Sequence, residues 1–169
     1  MKSLVTFYSE TGNTQKVAEA IFGEISGEKE IRHLSEVNTL EGYDIVFIGF
    51  PIMQFGPPRK IRMFLRAHAS GRKIALFITH ASWEAPDQSA ALASWLQKCK
   101  AAAEGARLAG FFHCRGELSA TSAARFLESE IPEVRMFGTL QPATVGHPDI
   151  VELEAARNFA RRIMTEASR

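Results

Sequence analysis

Short runs rich in apolar and β-branched residues alternate along this chain with longer segments whose apolar residues repeat at helical spacing. The runs lie at residues 2–8, 30–34, 44–49, 73–79 and 107–114 and are expected to be strands. Two of them, 44–49 and 73–79, lack a polar face, which is typical of parallel strands covered by helices on both sides. The pattern predicts an α/β fold, a three-layer doubly wound sandwich around a five-stranded parallel sheet.

The chain of 169 residues is expected to form a single domain, residues 1–169, since domains usually contain about 100–200 residues. Residues 116–148 are predicted to be an extended connection between the last strand and the last helix, which begins at Asp149 with a capping-box Glu152. The connection contains an expected helix at 120–129 and a hydrophobic piece at 131–137. The connection either covers a ligand at the end of the sheet, packs against the edge of the sheet, or forms a contact between subunits. The oligomeric state stays open.

Composition and charge exclude several classes of protein. The formal net charge of +1 argues against a nucleic-acid partner. No apolar run reaches the roughly 18 residues needed to cross a membrane, so no membrane contact is expected. Cys99 and Cys114 are too few for a disulfide framework, lack the spacing of a zinc site, and are expected in the core. The cytoplasm is the expected compartment.

A polar loop separates the first strand from an amphipathic helix predicted at 12–25. Its members offer hydroxyls, a carboxamide and a glycine without any lysine or arginine: Ser9, Glu10, Thr11, Gly12, Asn13 and Thr14. Hydroxyls and backbone N–H groups at a helix N-terminus favour a phosphate ligand. Neither the Walker nor the Rossmann glycine pattern occurs in the chain. The alternative is an ordinary helix cap, for which one Ser, Thr or Asn is enough.

This hexapeptide resembles the T/S-x-T-G-N-T signature of the flavodoxins, in which the loop holds the phosphate of FMN. The resemblance extends to the chain length and the strand order, and it implies FMN as the cofactor. It also implies two loops on the two sides of the flavin ring. The first ring loop contains Pro51, Ile52, Met53, Gln54, Phe55 and Gly56, and the second contains Thr79, His80, Ala81, Ser82 and Trp83.

The roles of single residues in the ring loops stay open at this point. Trp83 either stacks on the ring or anchors its loop to the core. A protonated His80 would stabilise negative charge on the ring, but a polar loop residue that contacts the flavin only through its backbone is the preferred interpretation.

A basic segment departs from the strongly acidic surface of typical flavodoxins. Residues 45–83 contain no Asp or Glu, whereas Arg59, Arg62 and Arg66 share one helical face directly after the first ring loop. This face is either a solvated surface or a docking site for an acidic redox partner protein or for the phosphates of a nicotinamide donor.

Two functions follow from the resemblance. The leading hypothesis is an FMN-binding protein of electron transfer, which needs an exposed ring edge. The alternative is an FMN-dependent NAD(P)H oxidoreductase of the quinone or flavin reductase type, which needs a cavity over the ring. A domain that has lost its flavin is a weaker option, because the hexapeptide is intact. A phosphorelay receiver is excluded, because Tyr8–Ser9 and Gly49–Pro51 lack its acidic residues.

Overall fold

The computed structural model describes residues 1–85 and 87–167 and confirms the predicted α/β fold class. All four strand pairs are parallel, and the strand order is β2-β1-β3-β4-β5. The strands are β1 (Lys2–Phe7), β2 (Glu28–His33), β3 (Ile45–Pro51), β4 (Lys73–His80) and β5 (Arg107–Arg115).

The helices cover both faces of the sheet and complete the three layers. They are α1 (Asn13–Glu24), α2 (Arg59–His68), α3 (Ala90–Ala101), α4 (Ala120–Leu127), α5 (Pro132–Thr139) and α6 (Ile150–Ala167). One hydrophobic cluster packs α1 and α6 against one face, and a second packs α2 and α3 against the other. No helix within the described residues is long and apolar enough to cross a membrane.

Successive residues of the central strands point to opposite clusters, which explains why these strands have no polar face. On β3, Phe47 belongs to the α1–α6 cluster, whereas Ile48 and Phe50 belong to the α2–α3 cluster. All three are fully buried, and each such side chain contributes roughly 1.5–3 kcal/mol of burial free energy. Gly49 lies beside a ring of β4, since a Cβ at this position would be 1.9 Å from Cε2 of Phe77.

Several element boundaries differ from the sequence predictions. β3 continues through Pro51, because Phe50 and Pro51 pair with Ile78 and Thr79. β2 begins at Glu28 rather than at residue 30, since its first residues pair with the start of β1.

Another difference concerns α3, because the pair Pro86-Asp87 in the sequence predicts a helix that begins there. It begins at Ala90, where the hydroxyl of Ser89 accepts the Leu92 N–H at 3.3 Å and caps the helix. Pro86 itself lies outside the described residues.

The predicted capping box of the last helix is confirmed. The Glu152 N–H donates to Oδ1 of Asp149 at 2.9 Å, and the Asp149 N–H donates to Oε2 of Glu152 at 2.8 Å.

Candidate functional site

The predicted site segments lie at the carboxyl ends of β1, β3 and β4, where the strand order changes direction and where ligands of open α/β sheets bind. Backbone hydrogen bonds join them. The Tyr8 N–H donates to the Gly49 carbonyl at 2.9 Å, and the Ile52 N–H donates to the Thr79 carbonyl at 2.8 Å. The fold therefore brings the polar loop and both ring loops to one edge of the sheet.

The polar loop does not cap the helix that follows it. Gly12 has a left-handed backbone with φ of 89°, and α1 begins there with no side-chain cap. The first-turn N–H groups of α1 therefore keep the partial positive charge that attracts anions. The interpretation of the loop as an ordinary helix cap is wrong for this structure.

Two hydroxyls of the polar loop are oriented by bonds that they accept. Ser9 Oγ accepts the Gly12 N–H at 3.1 Å, and Thr11 Oγ1 accepts from the Asn13 amide at 3.2 Å. Within the described residues, neither hydroxyl has an assigned acceptor for its own hydrogen. Both hydrogens are free to be donated to an anion.

Asn13 and Thr14 connect the polar loop to its surroundings. The Asn13 amide donates to the Glu117 carbonyl at 2.8 Å, which ties the loop to the start of the 116–148 connection. The hydroxyls of Thr14 and Thr79 are 2.9 Å apart and buried, with one donating to the other. Whether these two side chains also contact a ligand stays a prediction.

Glu10 lies beside a buried phenol. The Tyr8 hydroxyl donates to Oε1 of Glu10, and the Lys60 ammonium lies 3.9 Å from the centroid of the Tyr8 ring. Burial, followed by the hydrogen bond to Glu10, raises the pKa of Tyr8 to about 12. Tyr8 is therefore a neutral donor that holds this carboxylate in place.

The first ring loop is a two-residue hairpin after Pro51, which itself ends β3. Met53 and Gly56 exchange backbone hydrogen bonds of 2.9 and 3.2 Å. The residues between them, Gln54 and Phe55, have φ values of 48° and 64°, as a type I′ turn requires. Such left-handed non-glycine residues are strained and concentrate at functional sites.

In the second ring loop, Thr79 and His80 still belong to β4, and His80 is 7% exposed. His80 Nε2 lies 3.1 Å from His113 Nδ1 of β5. Burial, then the nearby His113 and Arg115, lowers the pKa of His80 to about 3. His80 is consequently neutral at physiological pH, so the structure does not support a charged imidazole beside a flavin. His113 was not among the predicted site residues, because only the pairing of β4 with β5 brings it to His80.

A row of four aromatic side chains joins the two ring loops. Phe55 contacts Trp95 of α3 with ring centroids 5.2 Å apart, Trp95 contacts Phe137 of α5 at 5.8 Å, and Phe137 contacts Trp83 at 5.9 Å. Trp95 and Phe137 were not among the predicted site residues. The hydrophobic piece at 131–137 was the available signal for Phe137, but its location depends on how the connection folds.

An open groove of about 380 Å³ lies beside Trp83 along the β5 edge. Its walls include Gln88, Phe112, His113, Arg115 and Glu152. The Arg115 Nε donates to Oε1 of Glu152 at 3.4 Å, so part of the charge in the groove is paired. The groove combines aromatic and polar surfaces and is large enough for a small organic molecule.

The three arginines of the basic segment are exposed on α2, as expected for one helical face. The guanidinium of Arg62 donates to the Pro57 carbonyl at 2.8 Å, and Met63 beside it is 60% exposed. Within the described part of the chain, none of Arg59, Arg62 and Arg66 forms a salt bridge.

Comparisons with known proteins agree with the fold. The chain is 29% identical over 177 residues to the flavodoxin-like domain-containing protein BilS of Clostridioides difficile strain CD3, covering 99% of each chain. A solved flavodoxin from the domain Archaea aligns over all of both chains with a TM-score of 0.61 and 14% identity. A Lactobacillus acidophilus NCFM flavoprotein, solved in complex with FMN, aligns with a TM-score of 0.50 and 19% identity over 73% of this chain and 97% of that one.

The family comparison covers nearly the whole length of the chain. The family model described as flavodoxin domain matches residues 4–161, which include the polar loop, both ring loops and the whole 116–148 connection. The protein therefore belongs to the flavodoxin domain family.

Proposed function

We propose that this protein binds FMN and transfers electrons between protein partners. The observation that carries the proposal is the uncapped N-terminus of α1 beside the oriented hydroxyls of Ser9 and Thr11. Membership of the flavodoxin domain family supports FMN as the cofactor, and a structural relative has been solved with FMN.

The residues at the polar loop suit a phosphate. A Cβ placed on Gly12 would meet no atom within 4 Å, so the space over this glycine is open to a ligand. Backbone N–H groups of α1 and the two hydroxyls supply donors, and no basic side chain is needed to hold the charge.

When bound, FMN supplies one- and two-electron redox chemistry at its ring. The chain's own residues would hold and shield that ring. Met53, Phe55 and Trp83 offer apolar surfaces that exclude water, and His80 adds no positive charge. Such surroundings disfavour added negative charge on the ring and so lower its potential.

The absorption spectrum of the purified protein tests the cofactor. We expect a flavin spectrum, either as isolated or after reconstitution, and release of FMN rather than FAD on denaturation. A protein that shows no flavin absorbance after incubation with excess FMN would contradict the proposal.

Trp83 provides a test of the ring site. We expect FMN to quench the Trp83 fluorescence strongly in a Trp95→Phe variant, in which Trp83 is the sole indole, because a flavin stacked on an indole quenches it by contact. The converse variant, Trp83→Ala, keeps Trp95 and should lose most of the change. Titration of both variants with FMN measures the effect, and equal quenching in the two would remove Trp83 from the ring contact.

The proposed docking surface for the redox partner consists of Arg59, Arg62 and Arg66. Because electrostatic attraction mainly raises association rates and salt screens it, reduction by an acidic donor protein should slow as ionic strength rises. The triple change of these arginines to Gln should slow reduction about tenfold at low salt and flatten the salt dependence. FMN affinity should stay nearly unchanged.

Stopped-flow reduction at several salt concentrations measures this effect. Arg157 and Arg162 lie on α6, away from the ring loops, and their double change to Gln is the matched control. Equal rates and salt slopes for the wild type and the triple variant would show that the three arginines do not dock the partner.

The groove beside Trp83 favours a second candidate, an FMN-dependent NAD(P)H oxidoreductase of the quinone or flavin reductase type. This groove would take a planar small molecule next to the ring loop. Steady-state oxidation of NADH or NADPH with a quinone or free flavin as acceptor separates the two functions, since a carrier alone turns over slowly without its protein partner.

A further inference from the structure

The connection between β5 and α6 has two parts: a base, where its two ends are joined by hydrogen bonds, and a lobe of two helices. At the base, the Glu117 N–H donates to the His147 carbonyl at 2.8 Å, and the Leu118 N–H donates to Oγ1 of Thr144 at 2.9 Å. The bond from Asn13 to the Glu117 carbonyl attaches this base to the polar loop. Residues 119–140, which contain α4 and α5, extend from the base and are called the α4–α5 lobe below.

The two helices of the lobe are packed as one unit. A Cβ on Gly138 of α5 would lie 2.8 Å from the Ala123 carbonyl oxygen and 2.9 Å from the Leu127 nitrogen of α4. The backbones therefore approach more closely than any side chain at position 138 permits. Because α4 and α5 pack this closely, a side chain on α5 is held in position by both helices of the lobe.

Phe137 is next to this crossing and contacts both tryptophans of the chain. Trp83 stands in a loop without regular secondary structure, and its indole is only partly buried. In the described residues, Phe137 is the aromatic partner of Trp83, in an edge-on contact with an interplanar angle of 63°. Such contacts restrict the rotamer of a loop side chain before any ligand binds.

We propose that the α4–α5 lobe belongs to the flavin site and that Phe137 is a positioning residue, which holds the Trp83 indole ready for the flavin ring. This inference rests on the proposed FMN function. Immobilising a loop side chain on binding costs entropy, and a side chain that is held in advance avoids that cost. The lobe thus strengthens ring binding through Trp83, without contact to the phosphate.

The test compares Phe137→Ala and Phe137→Leu with Met136→Ala, a matched control on the same helix whose side chain is 44% exposed. We expect both Phe137 variants to release FMN about three- to tenfold faster than the wild type, and riboflavin faster by the same factor. The Met136 control should stay within about twofold. Thermal denaturation identifies a variant whose lobe is unfolded. If Phe137→Ala unfolds the lobe, the flavin release rate of the more conservative Phe137→Leu variant tests the inference.

A second measurement does not depend on flavin binding. In the flavin-free full chain carrying Trp95→Phe, loss of Phe137 should increase acrylamide quenching of Trp83, whereas Met136→Ala should not. Unchanged quenching, unchanged flavin release or tighter flavin binding would each overturn the inference. A wild-type protein that binds no flavin would instead refute the proposed function, and the quenching experiment would still decide whether the lobe holds Trp83.

Discussion

Lowering the pH from 7 to 5 is expected to reduce the free energy of unfolding by roughly 2 kcal/mol through His80 alone. The folded protein keeps this imidazole neutral, because burial lowers its pKa from 6.5 to about 3. The unfolded chain takes up the proton below pH 6.5, so acid favours unfolding. The contribution of the neutral His80 to the free energy of unfolding is complete above pH 6.5 and is lost progressively as the pH falls toward 3. Burial also lowers the pKa of His113, so protonation of His113 in the unfolded chain reduces the free energy of unfolding in the same direction.

Urea unfolding of the flavin-free protein at several pH values measures this effect. Because Gln does not titrate, a His80→Gln variant should lose most of the slope between pH 7 and pH 5, whatever its stability at neutral pH. Thr39→Ala, at an exposed residue that carries no titratable group, is the control and should keep the wild-type slope. A His80→Gln protein with the same decrease as the wild type would show that this buried histidine is not responsible.

The double change of Ser9 and Thr11 to Ala is expected to weaken FMN binding by at least about tenfold. Each hydrogen bond to a charged phosphate contributes roughly 1.5–3 kcal/mol, and about 1.4 kcal/mol is a factor of ten in affinity. Riboflavin lacks the phosphate, so its affinity should change little. These two residues are chosen instead of Thr14, because removal of the Thr14 hydroxyl would leave its buried partner on Thr79 unpaired.

Fluorescence titration with FMN and with riboflavin gives the two affinities. Thr39→Ala is a suitable control, since Thr39 is an exposed threonine whose hydroxyl accepts the Glu41 N–H at 3.1 Å, away from the site. Equal losses for the two flavins would place the phosphate outside the polar loop and would point to a general disturbance of the site.

The helix N-terminus and the basic helix face were predictable because their signals are local. Gly12 permits the left-handed backbone that directly precedes α1, and hydroxyl-bearing residues around such a glycine are typical of an anion-binding loop. Arg59, Arg62 and Arg66 share a face because helical geometry alone places them there. The predicted capping box of α6 depends in the same way on two residues three positions apart.

The contacts that distinguish this site could not be predicted, because they join residues far apart in the chain. The pairing of β4 with β5 sets Ile78 opposite His113, and this register, together with a bulge near Ala75, brings the two imidazoles together. A local pattern contains no information about strand register between segments separated by a helix.

The strands, their alternation with helices, the polar loop and the basic face could be predicted from the chain alone, since periodicity and turn chemistry act over a few residues. Strand pairing was needed to show that His80 is a neutral strand residue and that Pro51 ends β3. It also decided that Phe137 meets Trp83 across a long connection. These outcomes depend on packing and burial, which arise when distant segments exclude water from each other.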